Sequence, residues 1–281
     1  MTAQIINGKE IAKSVRLNLK EKISQLPTPP ALAVILVGSN PASQVYVKSK
    51  EKSCLEVGIT PKTYTLEENT TQEQLINLIN DLNNDANING ILVQLPLPSH
   101  IDTQKVLKSI NVNKDVDGFH PENVGLVIQQ QPNGFVPCTP KGVLHLLAST
   151  QVPLEGLNAV VVGRSQIVGL PMAHLLISKN CTVTVTHSKT KNLKDICKAA
   201  DVLVVALGKP EFITKEHIKE GAIVIDVGIN RTELGLKGDV NYEDALSLAS
   251  YITPVPGGVG PMTIAMLLEN TYLAYLMQHN S

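Results

Sequence analysis

Short runs of β-branched and aliphatic residues recur along this chain at 31–37, 90–93, 159–162, 182–186, 202–205 and 222–226, with helical patterns between them. That alternation limits the fold to right-handed βαβ units. A parallel strand can be reached only by a crossover, and the intervening helix supplies it. The helices carry their own punctuation. Asn40 and Pro41 read as N-cap and first helical position, Gly58 as a stop, and Thr71 with Gln74 as a capping box ahead of Leu75, Leu78, Ile79 and Leu82. The pattern predicts an α/β protein of two domains, each a mostly parallel sheet flanked by helices. Val127-Ile128 and Phe135-Val136 around Pro132-Asn133-Gly134 read as a small hairpin between them. The partition expected is 1–139 with 262–281, the last stretch being a helix that packs back, and 140–261.

Open parallel sheets bind ligands beyond the carboxyl ends of their strands. Nearly every unusual loop falls there, at 38–43, 94–98, 163–165, 187–189, 208–210, 228–230 and 254–260. Two decorated sheets lead us to expect two ligands meeting in one cleft.

Composition narrows the ligand class. The 281 residues carry 24 Lys+Arg against 25 Asp+Glu, so no overall field draws the chain to nucleic acid or acidic lipid, and an anionic ligand must be held locally. Aromatic residues are 3% with no Trp, which argues against a stacking platform for single strands. Cys54, Cys138, Cys181 and Cys197 form no C-x-x-C pair and lie in apolar surroundings, so buried thiols are expected, without a disulfide framework or a metal site. The opening residues lack the order of a signal or transit peptide, and no apolar run is long enough for a span, so a cytoplasmic protein is expected.

The segment 160–171 reads as a strand, a glycine turn and a helix start, the context in which a pyrophosphate meets backbone N–H groups and a helix dipole. It departs from G-x-G-x-x-G, since Ser165 replaces the second glycine and Gly169 comes one place late; a tight βα turn is the alternative. About twenty residues on, where an NAD site offers an acid to the ribose, this chain offers His187-Ser188-Lys189. With no carboxylate to repel a 2′-phosphate and with Arg164 nearby, NADP is expected over NAD.

Tyr46 and Lys50, four apart, share one face of the helix starting at Pro41, with Ser43 one turn earlier. Tyr-x-x-x-Lys is also a short-chain dehydrogenase signature, but there it follows the glycine loop, whereas here it precedes it in the other domain. Alone, the pair reads as surface residues. Gln94 ends a buried strand, and Leu95-Pro96-Leu97-Pro98 after it cannot continue a ladder, which fixes a loop at the rim. A polar amide there can hold an amine. Asp115-Val116-Asp117-Gly118 is either an Asp-Gly turn or a site in which Asp117 accepts two parallel hydrogen bonds from an amino-pyrimidine edge.

Together the segments VGSNPASQVYVKSK, VQLPLP, DVDGFH, PCTPKG, VVGRSQIVGLPM, DVGIN and TPVPGGVGPMT resemble the bifunctional methylenetetrahydrofolate dehydrogenase/methenyltetrahydrofolate cyclohydrolase family, in order and along essentially the whole chain. The departure in the glycine loop is that family's own pattern. The resemblance implies a Rossmann-like NADP-binding second domain and an enzyme of tetrahydrofolate interconversion in one-carbon metabolism. Methylenetetrahydrofolate would be oxidised by NADP to the methenyl cation, which would then be hydrolysed to 10-formyltetrahydrofolate. It implies Lys50 as general acid/base, Tyr46 packing on the folate and orienting Lys50, Gln94 bonding Lys50, and Asp117 anchoring the pterin. Ser43 and Leu95 would line the folate, and Pro256, Gly257, Gly258 and Val259 would border pterin and nicotinamide. Arg164 and Ser188 would take the 2′-phosphate, with Gly163, Ser165 and Ile229 along the dinucleotide. A homodimer is implied as well. Two other readings stand beside it: a nucleotide-binding module that has lost catalysis, against which the set Tyr46, Lys50, Gln94 and Asp117 speaks, and a dehydrogenase without the hydrolase step.

Overall fold

The computed structural model describes residues 2–233 and 235–279. In chain order the elements are β1 (Gln4–Ile5), α1 (Gly8–Ser24), β2 (Ala31–Val37), α2 (Pro41–Val57), β3 (Thr60–Leu66), α3 (Gln72–Asn84), β4 (Gly90–Val93), α4 (Thr103–Ser109), α5 (Pro121–Ile128) and α6 (Cys138–Ser149). There follow β5 (Asn158–Val162), α7 (Gly169–Ile177), β6 (Thr182–Thr186), α8 (Leu193–Lys198), β7 (Val202–Val205), β8 (Ile223–Asp226), β9 (Asn230–Thr232), β10 (Gly235–Lys237), α9 (Tyr242–Leu248), β11 (Tyr251–Ile252) and α10 (Val259–His279). The chain forms two compact units. No helix among the described residues is long and apolar enough to cross a membrane.

The small-sheet unit comprises residues 13–126, 131–138 and 264–279. Its sheet has the order β3-β2-β4, all parallel. The chain leaves β2 for β3 on one side and returns to β4 on the other, so the crossover reverses beside β2, where ligands of such sheets bind. Every residue of β2 and β4 is buried, as expected of strands covered on both faces. Leu75, Ile79 and Leu82 of α3 pack on Ala33, Ile35 and Ile91. Each such side chain contributes about 1.5–3 kcal/mol when fully buried. The expected caps form: Asn40 accepts from Ala42 N–H and Ser43 N–H at 3.0 and 3.1 Å, Gly58 closes α2 in the left-handed region, and Thr71 and Gln74 exchange bonds.

The large-sheet unit comprises residues 2–12, 127–130 and 139–263. Its sheet runs β1-β11-β8-β7-β5-β6, parallel throughout, and reverses direction beside β5. Residues 2–12, expected from sequence with the first domain, group here because β1 pairs with β11. Residues 264–279 of the terminal helix group with the small-sheet unit, where Asn270 Nδ2 donates to Val116 O (2.8 Å) and Val136 O (3.0 Å).

The expected hairpin does not form. Val127 and Ile128 end α5, which starts on Pro121, and the helix closes through Gln130 in the left-handed region (φ 55°). Gln131 N–H donates to Leu126 O and Gln130 N–H to Val127 O, the Schellman pattern, so these backbone groups go to a helix end instead of a ladder. All four cysteines are buried.

Candidate active site

On α2 the buried face is Ser43, Val47, Lys50, Cys54 and Val57, so Lys50 occupies a core position between apolar neighbours and is only 9% exposed. Tyr46, one turn before it, keeps 36% of its surface. The Lys50 amine donates to Gln94 Oε1 at 3.0 Å. Gln94 directly follows β4 beside β2, its N–H donating to Ile35 O, and its own Nε2 donates to Leu95 O at 2.7 Å. Both ends of the amide are thereby assigned, with oxygen toward the amine.

An ammonium this deep is disfavoured by desolvation. Burial lowers the Lys50 pKa from its ordinary value, opposed by Asp117 and then by Cys138 and Cys54. Asp117 keeps some exposed surface, yet its carboxyl group is enclosed enough that burial raises its pKa against Lys50 and a hydrogen bond from Cys138. Burial also raises the Tyr46 phenol. The small-sheet unit therefore holds an amine and a carboxyl that influence each other's charge, each pushed by burial toward its neutral form, the condition under which a side chain can exchange protons with a substrate.

The two readings of the Asp-Gly segment divide between its two aspartates. Asp115, 1% exposed, is the turn residue: it accepts from Phe119 N–H, His120 N–H (2.7 Å) and Asn123 Nδ2 (2.8 Å), and burial pushes it up to about 7. Asn270 and Cys138, which sequence reasoning passed over as site residues, hold this loop from behind: Cys138 Sγ donates to Val116 O at 3.3 Å, and Asn270 Nδ2 approaches Cys138 Sγ at 3.6 Å. The sequence shows only a lone asparagine in a largely apolar terminal helix, and its full burial in the structure is what reveals this role.

In the large-sheet unit Gly163 ends β5 with φ 126°, and a Cβ there would stand 2.2 Å from Ala206 O. A Cβ on Gly169 would stand 2.2 Å from Gly163 O. Glycine is thus required at both places, one for the turn and one for close approach of α7. Ser165 Oγ accepts from Val168 N–H and Gly169 N–H, each at 3.2 Å, and closes the turn that the second glycine of the usual motif would occupy. Arg164 and Ser188 are exposed, the latter just beyond β6, which pairs with β5. The segment His187-Ser188-Lys189 folds as a turn, with His187 N–H donating to Thr190 Oγ1 at 2.8 Å. Ile229, 40% exposed, follows β8. Pro256 is exposed, whereas Gly257, Gly258 and Val259 are buried, with Lys9 N–H donating to Gly257 O.

The sequence-derived residues therefore fall into two sets. Ser43, Tyr46, Lys50, Gln94, Leu95 and Asp117 lie in the small-sheet unit, and Lys50, Gln94 and Asp117 interact there. Gly163, Arg164, Ser165, Ser188, Ile229 and residues 256–259 lie in the large-sheet unit, the first five at the carboxyl ends of β5, β6 and β8.

Residues 6–117 match the model of the tetrahydrofolate dehydrogenase/cyclohydrolase catalytic domain and residues 137–279 that of the NAD(P)-binding domain. A bifunctional protein FolD of Acetivibrio thermocellus is 56% identical, over 99% of this chain and 99% of its own. The crystal structure of the Campylobacter jejuni bifunctional enzyme FolD superposes with a TM-score of 0.96 at 51% identity, covering 99% of each chain. The Trypanosoma brucei methylenetetrahydrofolate dehydrogenase-cyclohydrolase, solved with NADP cofactor and an inhibitor, does so with a TM-score of 0.96 at 39% identity over 100% of both chains.

Proposed function

Because this chain belongs to the tetrahydrofolate dehydrogenase/cyclohydrolase family, we propose that its two residue sets divide one task, with folate held by the small-sheet unit and NADP by the large-sheet unit. The chain oxidises 5,10-methylenetetrahydrofolate to 5,10-methenyltetrahydrofolate with NADP and hydrolyses the product to 10-formyltetrahydrofolate. The observation that carries our reading of the residues is the buried Lys50 amine, bonded to Gln94 at 3.0 Å and influenced by Asp117.

The large-sheet unit fits a dinucleotide. Its glycine turn has no room for side chains at 163 and 169, N–H groups open the helix behind it, and no acid stands at 187–189. Arg164 and Ser188 would bind the 2′-phosphate, while Gly163, Ser165 and Ile229 would line the rest. When bound, the nicotinamide supplies the hydride acceptor. The chain's own part in oxidation is orientation, because the folate nitrogen lone pairs stabilise the cation that forms.

Hydrolysis needs proton handling. Water adds to the methenyl carbon, and its proton passes to the neutral Lys50 amine. As the bond from that carbon to the ring nitrogen breaks, Lys50 returns the proton to the departing nitrogen, and the remaining hydroxyl proton is released to solvent as the carbonyl forms, leaving the formyl group on the other nitrogen. Burial supports this role by keeping a neutral amine accessible. Asp117 would accept the paired hydrogen bonds of the pterin edge, Tyr46 would pack on the folate, and Ser43 and Leu95 would line it, while in the large-sheet unit Pro256 to Val259 would border the nicotinamide.

We also read the chain as a cytoplasmic homodimer. The large sheet ends on β6, which among the described residues pairs with β5 on one side only, and Ile177 of α7 is 48% exposed.

The test is a two-step assay on the purified chain. Methylenetetrahydrofolate with NADP should yield NADPH, and methenyltetrahydrofolate without dinucleotide should be hydrolysed faster than in buffer. Failure of either step would overturn the reading.

A further inference from the structure

Two buried carboxylates stand beneath the loops of the large-sheet unit. Asp226, the last residue of β8, is 3% exposed, and Asp239 is fully buried. Asp226 Oδ1 accepts from Gly228 N–H (3.0 Å) and Asp239 N–H (2.9 Å), and its Oδ2 from Val240 N–H (2.9 Å). Asp239 Oδ2 accepts from Leu207 N–H (2.5 Å) and Gly208 N–H (2.9 Å), and its Oδ1 from Lys209 N–H and Asn230 Nδ2, both at 2.8 Å.

Three consecutive N–H groups that converge on one carboxylate form a nest, a shape that ordinarily receives an external anion. Here the anion is the chain's own. The consequence is geometric: the loop after β7 is tied at 207–209, and the segment around exposed Ile229 is tied by the Gly228 N–H and the Asn230 side-chain amide. The tied loop begins at Ala206, whose carbonyl sets the close approach to Gly163. Both carboxylates are fitted without slack, since a Cβ on Gly228 would lie 2.3 Å from Asp239 Oδ1 and a Cβ on Gly238 would meet Asp226 Oδ2. Burial, with the neighbouring Asp239 charge adding to it, pushes Asp226 up to about 7 despite its N–H donors. An arrangement this costly is expected where it supports a site.

We propose that Asp226 and Asp239 are positioning residues for the dinucleotide, holding the 207–209 loop and the backbone around Ile229 in the shape that receives it; this rests on the NADP reading of the unit. They act through backbone N–H groups and the Asn230 amide and need not touch the cofactor. Replacing Asp239 with Asn turns one acceptor oxygen into a donor facing N–H groups. Replacing Asn230 with Ala removes one tie to Asp239, together with the longer bond from Asn230 Nδ2 to Lys237 O (3.3 Å).

The experiment is NADP titration calorimetry on the full chain, wild type, Asp239→Asn and Asn230→Ala. It is accompanied by thermal midpoints, by KM for NADP with kcat at saturation, and by methenyltetrahydrofolate hydrolysis without dinucleotide. The NADP Kd and KM should rise about tenfold in Asp239→Asn and about threefold in Asn230→Ala, the scale of a charge-assisted and an ordinary hydrogen bond. The kcat at saturating NADP and the dinucleotide-free hydrolysis should stay within about twofold. A lowered thermal midpoint with unchanged Kd and KM would make the carboxylates structural and overturn the proposal. If Asp239→Asn does not fold, Asn230→Ala decides alone by the same criterion. Wild type that fails to bind NADP would overturn the cofactor reading itself, an outcome distinct from variants that match a binding-competent wild type.

Discussion

Replacing Lys50 with Met removes the amine while nearly keeping the side-chain length. The structure sets the cost to the fold. Lys50 is 9% exposed and its amine donates to Gln94 Oε1 at 3.0 Å, so the variant leaves that oxygen without this donor at a cost of about 1–3 kcal/mol. Relief from burying an amine offsets part of this. A domain with roughly 5–15 kcal/mol in reserve remains folded. Loss of a general acid/base is far larger kinetically, on the order of 10²- to 10⁴-fold, or about 3–5 kcal/mol in the barrier. Cyclohydrolase kcat should fall by that factor and dehydrogenase kcat by less than about tenfold. Methenyltetrahydrofolate should therefore accumulate when the variant receives methylenetetrahydrofolate and NADP, followed as absorbance against NADPH formation. Because Lys50 lowers the Asp117 pKa against burial, its loss should raise Asp117 further and increase the folate KM in both assays. Equal loss of both kcat values in a folded, folate-binding variant would refute the reasoning and make Lys50 a shared electrostatic element.

Gln94→Met tests the other side of that bond. The amide oxygen favours the ammonium, so without it the Lys50 pKa should fall further below its lowered value, and the limb of the hydrolysis pH profile that reports a neutral amine should move to lower pH; an unmoved limb would separate Gln94 from the proton carrier. Arg164→Ala should weaken NADP binding about tenfold, the low end for a charge-assisted pair because the guanidinium is exposed, with NAD binding nearly unchanged; equal affinities for the two cofactors in wild type would sink the 2′-phosphate assignment.

What the sequence disclosed and what it hid have the same physical source. Strands β2, β4 and β7, with Ala159–Val162 of β5 and Ile223–Ile225 of β8, are buried on both faces and therefore read as apolar runs. Strand β3, Thr60–Leu66, lies at a sheet edge with much of its surface exposed, and its polar, proline-containing sequence carries no such run. The two-residue strands β1 and β11 are too short for periodicity and exist only through tertiary pairing. Val127-Ile128 misled because two aliphatic residues before an Asn-Gly pair fit a hairpin as well as a helix end, and only the backbone bonds to Gln130 and Gln131 decide. At the site, spacing could place Tyr46 and Lys50 one turn apart, but not say that Lys50 is buried while Tyr46 stays exposed. That follows from Val47 and Cys54 flanking Lys50 against the core. Asn270 and Asp239 were illegible for a related reason: each acts on a loop thirty or more residues away in sequence.

The central claim is that one folate site, anchored by Asp117, serves both reactions. Its most direct test is the kcat/KM of both activities in Asp117→Ala, measured beside NADP affinity. Losing a carboxylate that holds a paired hydrogen bond should cost about 1.5–3 kcal/mol, so both values should fall together by tenfold or more while the NADP Kd stays near that of wild type. Loss of only one activity would mean that the two reactions use different folate poses, and the single-site account would be wrong.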